Sequence, residues 1–241
     1  MLKYGELTSE DVAAINKEKT IVFLPIGAVE AHGPHLPLLT DYFQAEKVCS
    51  ELASKFNGVL APPLYYGNCS STKNFPGTIS ISTDTLRSLI YDIISEFTRN
   101  GFRNFVLITG HAGAAHMQAV NEACKEIVSN ESENVKIMML SDYDIAYELR
   151  GLKFPLDDGH GGLIESARML SIRPELVKIG KARSGSNRIP KFMVLKHPEK
   201  YWDGFTGEPQ KATKELGKEI DEYIIEKLVA LIKENFGIKS Q

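Results

Sequence analysis

Short apolar runs alternate with longer amphipathic segments along most of this 241-residue chain. The apolar runs have the length of strands and are bounded by glycine, proline or other turn residues. They predict strands at residues 20–26, 58–64, 105–108 and 135–140. Segments with apolar positions at helical spacing predict helices at residues 9–16, 40–56 (with Thr40 as the N-cap), 83–99, 114–128, 141–149, 166–170 and 212–236.

This alternation is typical of an α/β protein with a mainly parallel sheet that is covered by helices on both faces. The chain has no internal repeat, low-complexity stretch or linker, so residues 1–241 are predicted to form a single domain. Residues 180–212 are predicted to be a long irregular segment, and such segments in a domain are usually functional or mobile. This segment contains Trp202, which either covers a site or packs on the surface of the core.

Side chains that bind metals follow several of the predicted elements. Glu30, His32 and Asp41 come after the first predicted strand, His111 follows the third, and Glu165 lies in a later polar cluster. Because ligands bind beyond the carboxyl ends of parallel strands, the first two of these loops are expected to converge. Three carboxylates and two imidazoles suit a pair of divalent cations, one carboxylate bridging them. The alternative is a set of ordinary polar turns whose histidines lie in water.

Two adjacent cations would favour hydrolysis, since they activate water and polarise a carbonyl oxygen. His35, His116 and His160 are near the candidate ligands in sequence, and a histidine can carry a proton from attacking water to a leaving nitrogen. The indicated reaction is hydrolysis of an amide-type C–N bond, although the ligand set alone leaves an ester or phosphoester open. The chain contains neither a GxSxG elbow nor a Walker A loop, and a cysteine nucleophile has no support.

Composition narrows the class of partner. A hydrophobic content of 43% and a charged content of 24% are ordinary for a globular protein. The net charge of −3 gives no reason to expect nucleic acid or an anionic membrane as a partner. Three scattered cysteines indicate reduced core thiols, and no apolar run suggests a signal peptide or a membrane span. We therefore expect a cytoplasmic protein that acts on a small molecule.

Several sequence blocks resemble the creatininase family of metal-dependent amidohydrolases. The most specific is PIGAVEAHGPHLP, which starts at Pro25 and is followed by Thr-Asp at residues 40–41. FPGT at 75–78, GHAG at 110–113, HGGLIES at 160–166 and the GEP…AT…G segment at 207–217 resemble further family motifs in the same order. The resemblance covers nearly the whole chain. It implies a three-layer α/β/α sandwich, two divalent metal ions (zinc, manganese or iron) and a homo-oligomer, commonly a hexamer.

The resemblance also implies roles for particular residues. In creatininase proper, a glutamate two residues after the loop histidine is taken as a further ligand; here that position is Gly113, and Glu165 is the predicted replacement. His160 falls on the position of the catalytic proton carrier. The remaining metal-ligand positions, with Asp41 as the bridge, are Glu30, His32, Asp41 and His111.

Three departures from creatininase make creatinine an unexpected substrate. Ala112 stands where creatininase has an aromatic residue, no tryptophan lies between residues 111 and 160, and Thr72 replaces a histidine common in relatives. The GHAG loop followed by His116-Met117 resembles archaeal formamidopyrimidine deformylase, whereas His35-Leu-Pro resembles the general family. The hypotheses are therefore an amidohydrolase acting on a small cyclic amide or formamide, and a metal-binding scaffold of the same fold without turnover.

Overall fold

The centre of the protein is a five-stranded sheet in which every neighbouring pair is parallel. The computed structural model describes residues 1–130, 134–190 and 192–238. The strand order is β1-β3-β2-β4-β5. The strands are β1 (Leu2–Lys3), β2 (Ile21–Ile26), β3 (Val59–Leu60), β4 (Asn104–Thr109) and β5 (Lys136–Ser141). The predicted α/β class with a mainly parallel sheet is confirmed.

Helices cover both faces of this sheet. They are α1 (Ser9–Ala14), α2 (Thr40–Lys55), α3 (Thr83–Arg99), α4 (Ala114–Asn130), α5 (Asp142–Ala146), α6 (Leu163–Ile172) and α7 (Lys214–Phe236). Strand β2 shows why two layers form: Phe23 packs in the core beneath α2, α5, α6 and α7, whereas Val22 and Leu24 pack beneath α3 and α4. The result is the expected three-layer sandwich. No helix in the described ranges is long and apolar enough to cross a membrane.

Two predicted boundaries were wrong for local reasons. The strand predicted at 58–64 is continuous only at Val59–Leu60, and Leu64 forms an isolated bridge with Ile26, because Pro62 and Pro63 have no N–H to donate to a neighbouring strand. Thr40 is the first residue of α2 rather than its N-cap, since its hydroxyl donates to the Pro37 carbonyl at 2.7 Å.

The segment at 180–212 is more ordered than the sequence indicates. Strands β6 (Gly185–Asn187) and β7 (Trp202–Gly207) form a separate antiparallel pair in which Asn187 lies opposite Trp202. The predicted irregular segment therefore contains a two-stranded ribbon, whereas residues 188–190 and 192–201, which connect its strands, are largely irregular; residue 191 lies outside the described residues.

The carboxyl ends of β2 and β4 bring two of the polar loops together. These strands pair side by side from Ile21–Asn104 to Ile26–Thr109, so their following loops leave the same edge of the sheet. The start of α2 lies against this edge. A Cβ on Gly110 would stand 2.0 Å from the Asp41 carbonyl oxygen, so only glycine allows the β4 loop to approach α2 this closely.

Candidate metal centre

The five predicted ligand residues meet in one buried cluster around Asp41. Asp41 Oδ1 lies 2.9 Å from His32 Nε2, and Asp41 Oδ2 lies 3.3 Å from His111 Nδ1. Glu30 Oε2 lies 2.7 Å from His111 Nδ1, and Glu165 Oε2 lies 3.5 Å from His32 Nε2. Asp41 therefore has one oxygen beside each histidine, and each histidine has a glutamate of its own.

This arrangement divides the cluster into two half-sites that share Asp41. The first half-site consists of Glu30, His111 and Asp41, and the second consists of His32, Glu165 and Asp41. Residues of each half-site come from different elements: the β2 and β4 loops, the first turn of α2 and the first turn of α6. All five side chains are buried. A carboxylate between two imidazoles is the arrangement expected of a ligand that bridges two cations.

Backbone carbonyls orient both imidazole rings. His32 Nδ1 lies 3.0 Å from the Glu30 carbonyl oxygen, and His111 Nε2 lies 2.9 Å from the Asn68 carbonyl oxygen. Each of these nitrogens must carry the proton, since a carbonyl oxygen only accepts. In the neutral rings, the opposite nitrogens, His32 Nε2 and His111 Nδ1, carry the lone pairs, and they face the carboxylates. This is the orientation that protein groups behind a metal site usually impose on a histidine ligand.

Unpartnered atoms in the cluster indicate that these residues fit a divalent metal centre. Glu30 Oε2, Asp41 Oδ2 and His32 Nε2 are fully buried, and none makes a well-aligned hydrogen bond with a described residue. Buried polar atoms without a partner are rare and costly. Cys69 also stands close to the first half-site, its sulfur within 4.8 Å of ligand atoms of Glu30 and His111.

Attraction between the carboxylates and the histidines explains the unusual proton affinities of this cluster. Burial lowers the pKa of His32, but the carboxylates of Asp41, Glu165 and Glu30 outweigh burial and raise this pKa to about 10. Burial raises the pKa of Glu30, but the histidines His111 and His160 outweigh it and lower this pKa to about 2. The cluster thus requires positive charge, which either protons or metal cations can supply.

The model of the creatininase family (creatinine amidohydrolase) matches residues 5–232. The chain belongs to the creatininase family. It is therefore a metal-dependent amidohydrolase by family, and the predicted resemblance is confirmed.

Relatives with known activities match over most of the chain. Creatinine amidohydrolase of Pseudomonas putida is 28% identical over 96% of both proteins. The mycofactocin precursor peptide peptidase of Mycobacterium tuberculosis is 27% identical over 90% of this chain and 86% of its own. Solved creatininase structures include a manganese form, with a TM-score of 0.86 and 28% identity over 98% of both chains. A variant of Zn–Zn type has a TM-score of 0.85 and 28% identity over 97% of both chains.

His160, the predicted proton carrier, stands at the edge of the second half-site. Its ring centroid lies 4.2 Å from that of His32, and its Nε2 lies 2.8 Å from the Ala31 carbonyl oxygen. Nε2–H donates a hydrogen bond to this carbonyl, which leaves Nδ1 as the basic nitrogen of the neutral ring. His160 also lines a cavity of about 230 Å³ that opens onto both half-sites.

His35 and His116 stand behind the cluster rather than in it. His35 Nε2 lies 2.9 Å from Ser166 Oγ, and His116 Nε2 lies 3.0 Å from Thr109 Oγ1. Burial lowers the pKa of His35 to about 4 and that of His116 to about 3. Both rings are therefore neutral near pH 7, and their contacts hold the loops that carry the ligands.

Several residues that support the site were missed by the sequence analysis. Asp158 accepts the backbone N–H groups of Leu163 at 2.6 Å and Ile164 at 3.1 Å, which starts α6 earlier than predicted. Glu165 Oε2 accepts a hydrogen bond from the N–H of Gly161 at 2.7 Å. The turn before α6 and the Glu165 side chain therefore hold each other in position. The sequence feature that could have indicated this role of Asp158 is an aspartate five residues before an apolar helix, which is a weak signal.

Thr72 is another residue that supports the first half-site. It is buried, and its hydroxyl donates to Glu30 Oε1. This contact occupies one oxygen of the carboxylate and leaves Oε2 beside His111. Thr72 thus orients Glu30 toward the first half-site.

Replacing Thr72 by valine is expected to weaken metal binding at the first half-site by about 10- to 100-fold, as is usual when the partner of a ligand is removed. Thr72→Ser retains the hydroxyl and is the matched control. Competition with a chromophoric chelator measures both variants. Equal zinc affinity in Thr72→Val and the wild type would show that Glu30 needs no such support.

The raised pKa of His32 predicts that the stability of the metal-free protein depends on pH. Bound metal should reduce this dependence. The folded-state pKa, about 10, exceeds the ordinary value of 6.5, so protonation stabilises the metal-free protein fully below pH 6.5. This contribution is lost as the pH rises from 6.5 toward 10. We expect the free energy of unfolding of the chelator-treated protein to fall over this window, and that of the metal-loaded protein to change less. Urea unfolding at pH 6, 8 and 10 measures both; parallel profiles would contradict the assignment.

Proposed function

We propose that this chain hydrolyses the C–N bond of a small cyclic amide or formamide, using two divalent metal ions held by Glu30, His32, Asp41, His111 and Glu165. The observation that carries the proposal is the position of Asp41, with one carboxylate oxygen beside each of two histidines. Zinc or manganese is the expected metal, by analogy with the solved creatininase forms, and iron is a further candidate.

Bound metal ions of this kind lower the pKa of water and polarise a carbonyl group. The protein's part is to hold them, to exclude bulk water and to move the proton. Backbone contacts orient the two imidazoles. Because all five metal-binding side chains are buried, charge interactions within the site are strong. His160 is proposed to accept the proton of the attacking water at Nδ1 and to donate it to the leaving nitrogen.

The shape of the cavity supports a small substrate. At about 230 Å³ it is smaller than typical pockets for drug-sized molecules. Ala112 lines it where creatininase has an aromatic residue, and the described part of residues 111–160 contains no tryptophan. Creatinine is therefore not the substrate we propose. A formamide of the type cleaved by formamidopyrimidine deformylase fits the proposal, as does another small cyclic amide.

The competing hypothesis is a metal-binding scaffold that has lost turnover. Gly113, where creatininase has a glutamate, favours this hypothesis. Against it, Glu165 occupies the second half-site and His160 stands at the cavity wall. A scaffold has no need of a proton carrier. We also propose that the chain acts as one domain and assembles as a homo-oligomer, with a hexamer as the family analogy.

Replacing His160 by alanine separates the two hypotheses. Metal content is expected to stay at the wild-type value, while hydrolysis falls by about 10²-fold or more because the proton carrier is lost. Elemental analysis and a screen of cyclic amides and formamides measure the two quantities. His197, which is exposed and pairs with Glu199, provides the control in His197→Ala. An unchanged rate in His160→Ala would remove this residue from the mechanism.

A further inference from the structure

Trp202 presents an unusual combination of features at the cavity wall. It is the only tryptophan of the chain, it opens strand β7, and its side chain is 7% exposed. Its ring borders the cavity that opens onto both half-sites. The family motifs do not include it, and neither half-site uses it.

The position of the indole ring is set by its neighbours. Its centroid lies 5.6 Å from that of His160 and 5.7 Å from that of Phe75, which meets it nearly edge-on at 83°. A Cβ on Gly204 would stand 2.8 Å from the Phe75 ring, so glycine is required for the ribbon to close on this ring. Trp202 is thus held beside the proposed proton carrier rather than free to turn away.

The indole nitrogen has no acceptor among the residues that the structure describes. Nε1 of Trp202 is buried, and no hydrogen bond to it is present in the described ranges. An indole N–H only donates, and buried tryptophans usually find an acceptor. Leaving such a donor unpaired destabilises the folded protein. A donor of this kind beside a reaction cavity points to an acceptor that arrives with the ligand.

We infer that Trp202 is a substrate-binding residue that determines specificity. The ring packs against a flat substrate, and Nε1–H donates to a carbonyl oxygen or ring nitrogen of that substrate. Two further aromatic rings, those of Tyr143 and Tyr147, line the same cavity. The substrate class is therefore a small planar amide or heterocycle that carries a hydrogen-bond acceptor. This inference rests on the proposed function for its site, but binding can be tested without turnover.

Because Trp202 is the only tryptophan of the chain, the fluorescence of the wild-type protein reports directly on the surroundings of this ring in the cavity wall. The zinc-loaded protein is titrated with hydantoin, uracil and N-methylformamide as planar probes that carry acceptors, and with cyclopentanol as a non-planar control. We expect at least one planar probe to change the emission saturably and cyclopentanol to leave it unchanged. If no planar probe changes the emission up to about 10 mM, a concentration that reveals even weak binding of small ligands, the inference is overturned.

Variants test the role of the N–H group. Trp202→Phe keeps an aromatic ring and removes the donor; calorimetric binding of the active probe is expected to weaken about tenfold, the effect of one lost hydrogen bond. For a hydrolysed probe, KM should rise by the same factor with kcat little changed. Tyr201→Phe, at the exposed neighbouring position, is the control. A metal content and a urea unfolding midpoint equal to those of the wild type would confirm that the site of Trp202→Phe is intact.

The outcomes distinguish this inference from the proposed function. Hydrolysis with unchanged KM and binding in Trp202→Phe would refute the role of Trp202 and leave the amidohydrolase proposal standing. Saturable binding that weakens in Trp202→Phe, without hydrolysis of any probe, would support the role of Trp202 and count against turnover.

Discussion

Replacing Asp41 by alanine is expected to remove both metal ions from the protein at once. Asp41 contributes one oxygen to each half-site, whereas Glu30 contributes to the first and Glu165 to the second. Loss of the shared carboxylate leaves each half-site with one histidine and one glutamate. Two protein ligands are fewer than the three that catalytic metal sites usually have. Hydrolysis should fall to the level of the metal-free protein.

Glu30 and Glu165, which each serve only one half-site, provide the most informative comparison for this prediction. Glu30→Ala and Glu165→Ala should each lose about one metal equivalent of two, since each serves one half-site. Asp157→Ala removes an exposed carboxylate near the site and should lose none. Elemental analysis of protein purified without chelator measures all four. If Asp41→Ala keeps the full wild-type metal content, Asp41 is not a bridging ligand.

Replacing Arg168 by methionine is expected to cause the largest loss of stability. Arg168 is fully buried, with Nη2 2.7 Å from Asp142 Oδ2 and Nε 2.7 Å from Asp221 Oδ1. Removing this cation leaves two buried carboxylates without a counter-charge, which typically costs about 3–5 kcal/mol. Arg168 lies one turn after Glu165 on α6, so the same change should also loosen the second half-site.

Urea unfolding at pH 7.5 measures this effect directly. The control is Arg173→Met, whose partner Glu175 is exposed; surface pairs of this kind contribute about 1 kcal/mol or less. Burial already raises the pKa of Asp142 to about 6 in the presence of Arg168. The loss in Arg168→Met should therefore be smaller at pH 5, where the carboxylates protonate. Equal stability of Arg168→Met and the wild type at pH 7.5 would contradict the account.

The sequence was sufficient to predict the fold class and the convergence of the ligand loops. Apolar strands with two buried faces, such as 21–26 and 104–109, differ clearly from amphipathic helices in their periodicity. The ligand residues follow the carboxyl ends of adjacent parallel strands, so topology alone brings two of the loops together. Residue periodicity does not, however, reveal which strands are neighbours.

Contacts made by backbone atoms or between distant residues had no sequence signal. The Asn68 carbonyl orients His111, but every residue has a carbonyl group. Arg168 lies 26 residues from Asp142 and 53 from Asp221, and nothing local links them. Strands β6 and β7 were missed because GSN and WDGFTG contain glycine and aspartate, which strands generally avoid.

The most direct test of the two-metal amidohydrolase is a metal titration of activity. Chelator-treated protein receives zinc or manganese in steps, and release of amine or formate from the cyclic amide and formamide panel is measured at each ratio. We expect no hydrolysis without metal and a rate that saturates at about two equivalents per chain. Hydrolysis that persists without metal, or no hydrolysis of any panel compound at any metal ratio, would contradict it.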